Sequence, residues 1–313
     1  MDTLFNRRTF LKSTAALSAI TAWPGFGAAT LGAALTPTPA RKKPGIVRGA
    51  FFYPPAQVVL DGKCEDNWSA HNWFTWPGNQ FKPEEQQQKF MAELQRMITG
   101  LDLQLVMDDA AIYTDTGIQA FIADIQACRP DALLLFNFWN SFSAKIYPVL
   151  DAYDGPIILY HPLGANHQLP PERFRTHPRM HYIHSIEHYA ALENGLRAVH
   201  AKVRMAQSRL LRVSGKLQEE EDDIEPFFNT TVHGVPAAHF NDLFDEIELT
   251  AEMRQVADAV RAHAIQVTDL ADEAFLDAVR AHVGVQKLLE RNNADAITIE
   301  FLFLKHRKPC LRE

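Results

Sequence analysis

Four short apolar runs in the first half of the chain, separated by stretches of helical period, constrain the fold more than any other feature. They are "GIVRGAFFY" (45–53), "DLQLVMDD" (102–109), "DALLLFNFWN" (131–140) and "GPIILYHPLG" (155–164). The third and fourth are continuously apolar, as in strands covered on both faces, whereas the second alternates. Between them, "KPEEQQQKFMAELQRMITG" (82–100) places Pro83 in a first turn with acids behind it. Phe90, Leu94 and Met97 follow at helical spacing, and Gly100 serves as a C-cap. "TDTGIQAFIADIQACRP" (114–130) is a second helix stopped by Pro130, and a short third spans about 141–153. Strand and helix alternating in this way predict a parallel sheet with right-handed crossovers.

From about residue 175 the alternation restarts. A long helix (185–208) leads to a strand, "RLLRVSG" (209–215), and the acidic "EEEDD" (219–223) reads as a solvated loop. "FFNTTVHGVPAAHFNDLFDEI" (227–247) begins as a strand and ends as a helix. Helices near 250–263 and 272–292 precede a last buried-strand run, "DAITIEFLFL" (295–304). The expectation is two consecutive Rossmann-like α/β domains, 41–174 and 175–313. The second is expected to be incomplete, because "KHRKPCLRE" (305–313) supplies no closing element.

Residues 1–40 have the layout of an export signal: a charged start, a weakly apolar stretch rich in Ala, Gly and Thr, and small residues toward a cleavage site. Arg7 and Arg8, followed by Phe10, Leu11 and Lys12, resemble the twin-arginine signal that carries folded proteins across the bacterial inner membrane. The expectation is a periplasmic protein handed to the twin-arginine translocase, anchored to the membrane if the signal stays uncleaved. Net charge of −7 argues against nucleic acid as a partner. Three cysteines, Cys64, Cys128 and Cys310, stand too far apart to suggest a metal knuckle or a disulfide framework.

Ligands of open α/β sheets sit beyond the C-terminal strand ends, which directs attention to four groups. Asp108 and Asp109 end the second run and serve either as turn caps or as ligand contacts. Asn137, Trp139 and Asn140 end the third, with amides suited to sugar hydroxyls and an indole suited to sugar stacking, or with amides that stabilise the loop. His161, Asn166 and His167 follow the fourth; two imidazoles in a Gly/Pro loop can bind metal or polarise a carbonyl. Glu300 lies in the last run, ahead of Lys305, His306 and Arg307. His184 and His188 stand four apart without the remainder of a zinc motif. Asp-Thr-Gly at 115–117 opens a helix, so an N-cap at Asp115 or Thr116 explains it better than aspartic-protease chemistry. Phosphate loops, GxGxxG and GxSxG patterns are missing, which disfavours nucleotide cofactors and serine-hydrolase chemistry.

"DEAFLDAVRAHVGVQKLLERNNADAITIEFL" (272–302), together with the "DALLLFNFWN…GPIILYHPLG" layout, resembles the N-terminal and central domains of the fucose/arabinose isomerase-like sugar isomerases. In element order the resemblance spans roughly 45–311; identity of motif is confined to the quoted stretch. It implies aldose–ketose isomerisation through an enediol, assisted by a divalent metal, usually Mn2+, and completed by a C-terminal domain. The chain is then expected to be a fragment of an oligomeric enzyme. Glu300 is the position that the resemblance suggests for a catalytic, metal-binding carboxylate. The resemblance also implies that Trp68, Trp73 and Trp76, in "CEDNWSAHNWFTWPGNQF" (64–81), wall a neighbouring subunit's sugar pocket. A non-catalytic periplasmic sugar-binding protein is the alternative, with the same aromatic and amide groups holding the ligand.

Overall fold

A computed structural model of the chain describes residues 42–63, 82–139, 143–162, 171–263 and 271–300. They form two compact units, one over Lys42–Ala206 and the other from Gln207 onward.

The first unit is built on five parallel strands: β1 (Gly45–Phe52), β2 (Leu103–Met107), β3 (Ala132–Asn137), β4 (Ile157–His161) and β5 (Met180–His184). They lie in the order β2-β1-β3-β4-β5. The winding reverses between β1 and β3, the switch point of a flavodoxin-like sheet. Among the described residues five helices lie between the strands, α1 (Ala56–Leu60), α2 (Pro83–Ile98), α3 (Asp115–Cys128), α4 (Ser143–Asp151) and α5 (Glu172–Arg175), and α6 (Tyr189–Ala206) follows β5. Every residue of β3 and β4 is buried, as their continuous apolar runs require. Phe90, Leu94 and Met97 form the buried stripe of α2, the face expected from their spacing. Phe90 meets Tyr160 at 4.9 Å and Phe136 at 5.1 Å, and Phe51 stacks on Phe136 at 4.5 Å.

The boundary expected after residue 174 needs correction. Residues 180–184 pair in parallel with β4, Ile157 beside Met180 through His161 beside His184. Helix α6 then packs back on β1, β4 and β5, which places β5 and α6 in the first unit. "HYIHS" contains too few apolar residues to register as a strand; its order comes from the ladder. The α3 cap is likewise shifted from the expected Asp115 or Thr116: Thr114 Oγ1 accepts the Gly117 N–H at 3.0 Å.

The second unit contains β6 (Arg209–Ser214), β7 (Glu221–Ile224), β8 (Thr231–Pro236) and β9 (Ala296–Ile299), in the order β7-β8-β6-β9. β6 pairs in parallel with β8 and β9, while β7 is antiparallel to β8. Helices α7 (Ala237–Glu246) and α9 (Asp272–Arg291) cover one face, where Leu211, Val213 and Val235 meet Phe240 and Leu288. Helix α8 (Ala251–His263) packs along α9. Glu221–Asp223 of the acidic run therefore form an edge strand rather than a loop, and the run stays exposed to solvent as its charge leads one to expect. Arg209 reaches Asp222 and Arg212 reaches Glu221, each at 3.0 Å. Buried His233 sits 2.7 Å from Asp222, and His239 is 3.0 Å from Glu220. An acidic edge of this kind also discourages strand addition by like chains. The sequence thus yields two Rossmann-like α/β units. Among the described residues, no helix is long and apolar enough to cross a membrane. Arg7, Arg8, Phe10 and Leu11 of the export signal lie outside the described residues.

Candidate functional site

Side chains of β6 alternate between the two faces of its sheet. Leu211 and Val213 face the helices, so Arg212 and Ser214 face the opposite way. Val213 is in register with Ile299, and the Glu300 N–H donates to the Val213 carbonyl at 2.9 Å. Glu300 is thereby placed beside Ser214, at the C-terminal ends of β6 and β9. The Ser214 hydroxyl donates to Glu300 Oε2 at 2.5 Å and accepts the Lys216 backbone N–H at 3.2 Å. Lys216 Nζ stands 3.8 Å from Glu300 Oε1. Together with Arg212, Leu217 and Thr298, these residues line an open cavity of about 570 Å3.

One carboxylate oxygen of Glu300 is thus held by a buried hydroxyl and the other faces an ammonium group. Such a group accepts hydrogen bonds from ligand hydroxyls and can take a proton from a carbon acid placed against it. The site's donors fit a divalent cation poorly. A dication bound at Glu300 would have the Lys216 ammonium as a close neighbour, and among the described residues no imidazole lines the cavity. Among the described residues, no group of three or more His, Cys, Asp or Glu side chains is arranged to hold a metal ion. The Mn2+ site implied at Glu300 is therefore not assembled by the residues described.

The other expected contacts divide. Asn137 and Trp139 are fully buried. Asn137 Nδ2 donates to Ser143 Oγ at 3.2 Å, and its Oδ1 accepts the Trp139 N–H at 3.3 Å. These two residues are corrected to a structural role: the amide closes the turn after β3 and the indole fills the core, leaving neither open to a sugar. Asp108 is occupied by the buried Arg48, and the Asp109 carbonyl accepts Gln87 Nε2 at 2.9 Å. His161 is fully buried at the end of β4, with its Nδ1 3.1 Å from the Tyr182 hydroxyl. Burial pushes its imidazole down to about 3. His184 ends β5, while His188 precedes α6 and donates its backbone N–H to Tyr160, so the two histidines share no helix. Trp68, Trp73, Trp76, Asn140, Asn166, His167, Lys305, His306 and Arg307 lie outside the described residues.

Ser214 and Lys216 were not singled out by sequence reading. Their signal was available in "RVSGK", a hydroxyl and an ammonium directly after an apolar strand. It carried weight only once β9 was known to be the neighbour of β6. No protein-family model matches the chain, and no curated protein matches it.

Proposed function

We propose that the chain is an exported, carbohydrate-handling protein of the sugar-isomerase type, with Glu300 as the carboxylate that meets an open-chain aldose or ketose. The observation that carries this reading is Glu300 held by Ser214 over an open cavity at the C-terminal sheet edge. Interconversion of an aldose and a ketose moves one proton between C2 and C1. Glu300 takes the C2 proton, leaving an enediol, and returns a proton to C1, while the hydroxyl proton passes from O2 to O1. Export by the twin-arginine route and assembly into homo-oligomers belong to the same proposal. No part of this proton transfer is assigned to a metal.

The test is deuterium incorporation at C1 and C2 when the protein is incubated in D2O with a panel of aldopentoses and aldohexoses, with Mn2+ and with chelator. Exchange that falls at least about a hundredfold in Glu300→Gln supports the reading. A panel without exchange in either condition removes it. The second reading, a non-catalytic sugar-binding protein, draws on Lys216. An ion pair with Glu300 suits gripping adjacent hydroxyls. Calorimetric sugar binding in chelator, with no exchange of carbon-bound protons, would select that reading.

A further inference from the structure

In the first unit, two imidazoles converge on one face of the sheet and leave polar atoms unused. His161 and His184 are register partners across β4 and β5, so their side chains lie on the same face, alongside Tyr182. Their ring centroids are 5.5 Å apart with planes tilted by 48°. The Nε2 atoms of both are shielded from solvent, and neither has a hydrogen-bond partner among the described residues. A buried polar atom without a partner is uncommon in native proteins and calls for an occupant.

We propose that His161 and His184, in the first unit, form a two-imidazole site for a divalent first-row metal of the zinc class. Two imidazoles on one tetrahedral zinc, with Zn–N of about 2.0–2.1 Å, place their ring centroids roughly 5 Å apart, which matches the spacing across β4 and β5. Ligation through Nε2 requires the proton on Nδ1. Tyr182 suits that tautomer: its hydroxyl oxygen lies 3.1 Å from His161 Nδ1, where it accepts the N–H once Nδ1 carries the proton, the outer-shell arrangement that orients metal-bound histidines. Two protein donors leave the remaining coordination positions to water, which makes the site weaker than a closed structural zinc site.

The full chain, freed of metal, is titrated with Zn2+ by calorimetry and with Cu2+ as a spectroscopic probe. Wild type is expected to take up one ion and to show superhyperfine splitting from two nitrogens in its Cu2+ spectrum. His184→Gln is expected to weaken Zn2+ binding at least tenfold and to leave one nitrogen coupled; His161→Gln does the same where circular dichroism shows it folded. His239→Gln, in the second unit, is a control for adventitious imidazole binding and leaves both readouts unchanged. Unaltered uptake and splitting in His184→Gln overturn the proposal. So does a crystal structure grown with Zn2+ that shows only a water bonded to the two Nε2 atoms.

Discussion

Arg48 Nε donates to Asp124 Oδ2 at 2.5 Å across 76 residues of sequence, from the interior of β1 to helix α3. The same guanidinium donates to Asp108 and to the carbonyls of Gly49 and Val106, at 2.8 and 3.2 Å for the latter two, and lies 4.9 Å over the Phe121 ring. Burial works to lower its pKa, but the hydrogen bonds it donates to Asp124 and Asp108 outweigh that and raise it. The residue is therefore a cationic bolt joining β1, the end of β2 and α3. Arg48→Met is expected to destabilise the first unit by about 2 kcal/mol, because it removes charge-assisted hydrogen bonds to two carboxylates that stay partly exposed to water. Urea unfolding is the measurement; a change under about 0.5 kcal/mol would show the pairs to be surface-like.

Gly49, one position further along β1, has no room for a side chain. A Cβ there would meet Met107 Sδ at 2.3 Å and the Leu134 carbonyl oxygen at 2.7 Å. Met107 can rotate, but the Leu134 backbone is held in the sheet on both sides. Gly49→Ala should cost about 1–3 kcal/mol by overpacking, read as a lower urea midpoint at unchanged m-value.

Acid should weaken the fold through His161. Its folded pKa is lowered to about 3 by burial, with His184 a smaller contributor, against 6.5 for an unperturbed histidine. The unfolded chain therefore binds the proton first. The stability from the neutral, buried ring is complete above pH 6.5 and is lost progressively as pH falls from 6.5 toward 3, by up to about 1.4 kcal/mol per pH unit. Urea midpoints between pH 7.5 and pH 5 should fall less steeply for His161→Phe than for wild type. Equal slopes would mean that the ring is solvated or ion-paired when protonated.

Ser214 is a positioning residue in the proposed site, since its hydroxyl fixes one oxygen of Glu300. Ser214→Ala should lower kcat in the deuterium-exchange assay about tenfold with KM little changed, as expected when a hydrogen bond to a charged group is removed. Equal losses in Ser214→Ala and in a remote core variant matched for stability would reduce Ser214 to a structural role.

Much of the first unit was legible in its residues. The apolar runs of β3 and β4, the Phe90-Leu94-Met97 stripe and the punctuation by Pro83, Gly100 and Pro130 all report local burial and local backbone preference. β5 escaped because "HYIHS" is ordered by pairing with β4 rather than by its own apolarity. β7 escaped because consecutive exposed acids carry no apolar period, and the strand is ordered by its pairing with β8 and by Arg209, Arg212 and His233 beside it. At the candidate site Glu300 was visible as an acid in an apolar strand. Ser214 lies 86 residues away, and only strand order joins them.

The sequence by itself determined the alternation of strand and helix, and with it the α/β class, because hydrophobic period and turn chemistry act over a few residues. Only the tertiary structure decided which side chains became neighbours. Parallel strands are paired across long crossovers, so His161 found His184, Arg48 found Asp124 and Ser214 found Glu300 through sheet order and register. That order is set by the burial of whole faces, a sum over many residues that no single motif announces.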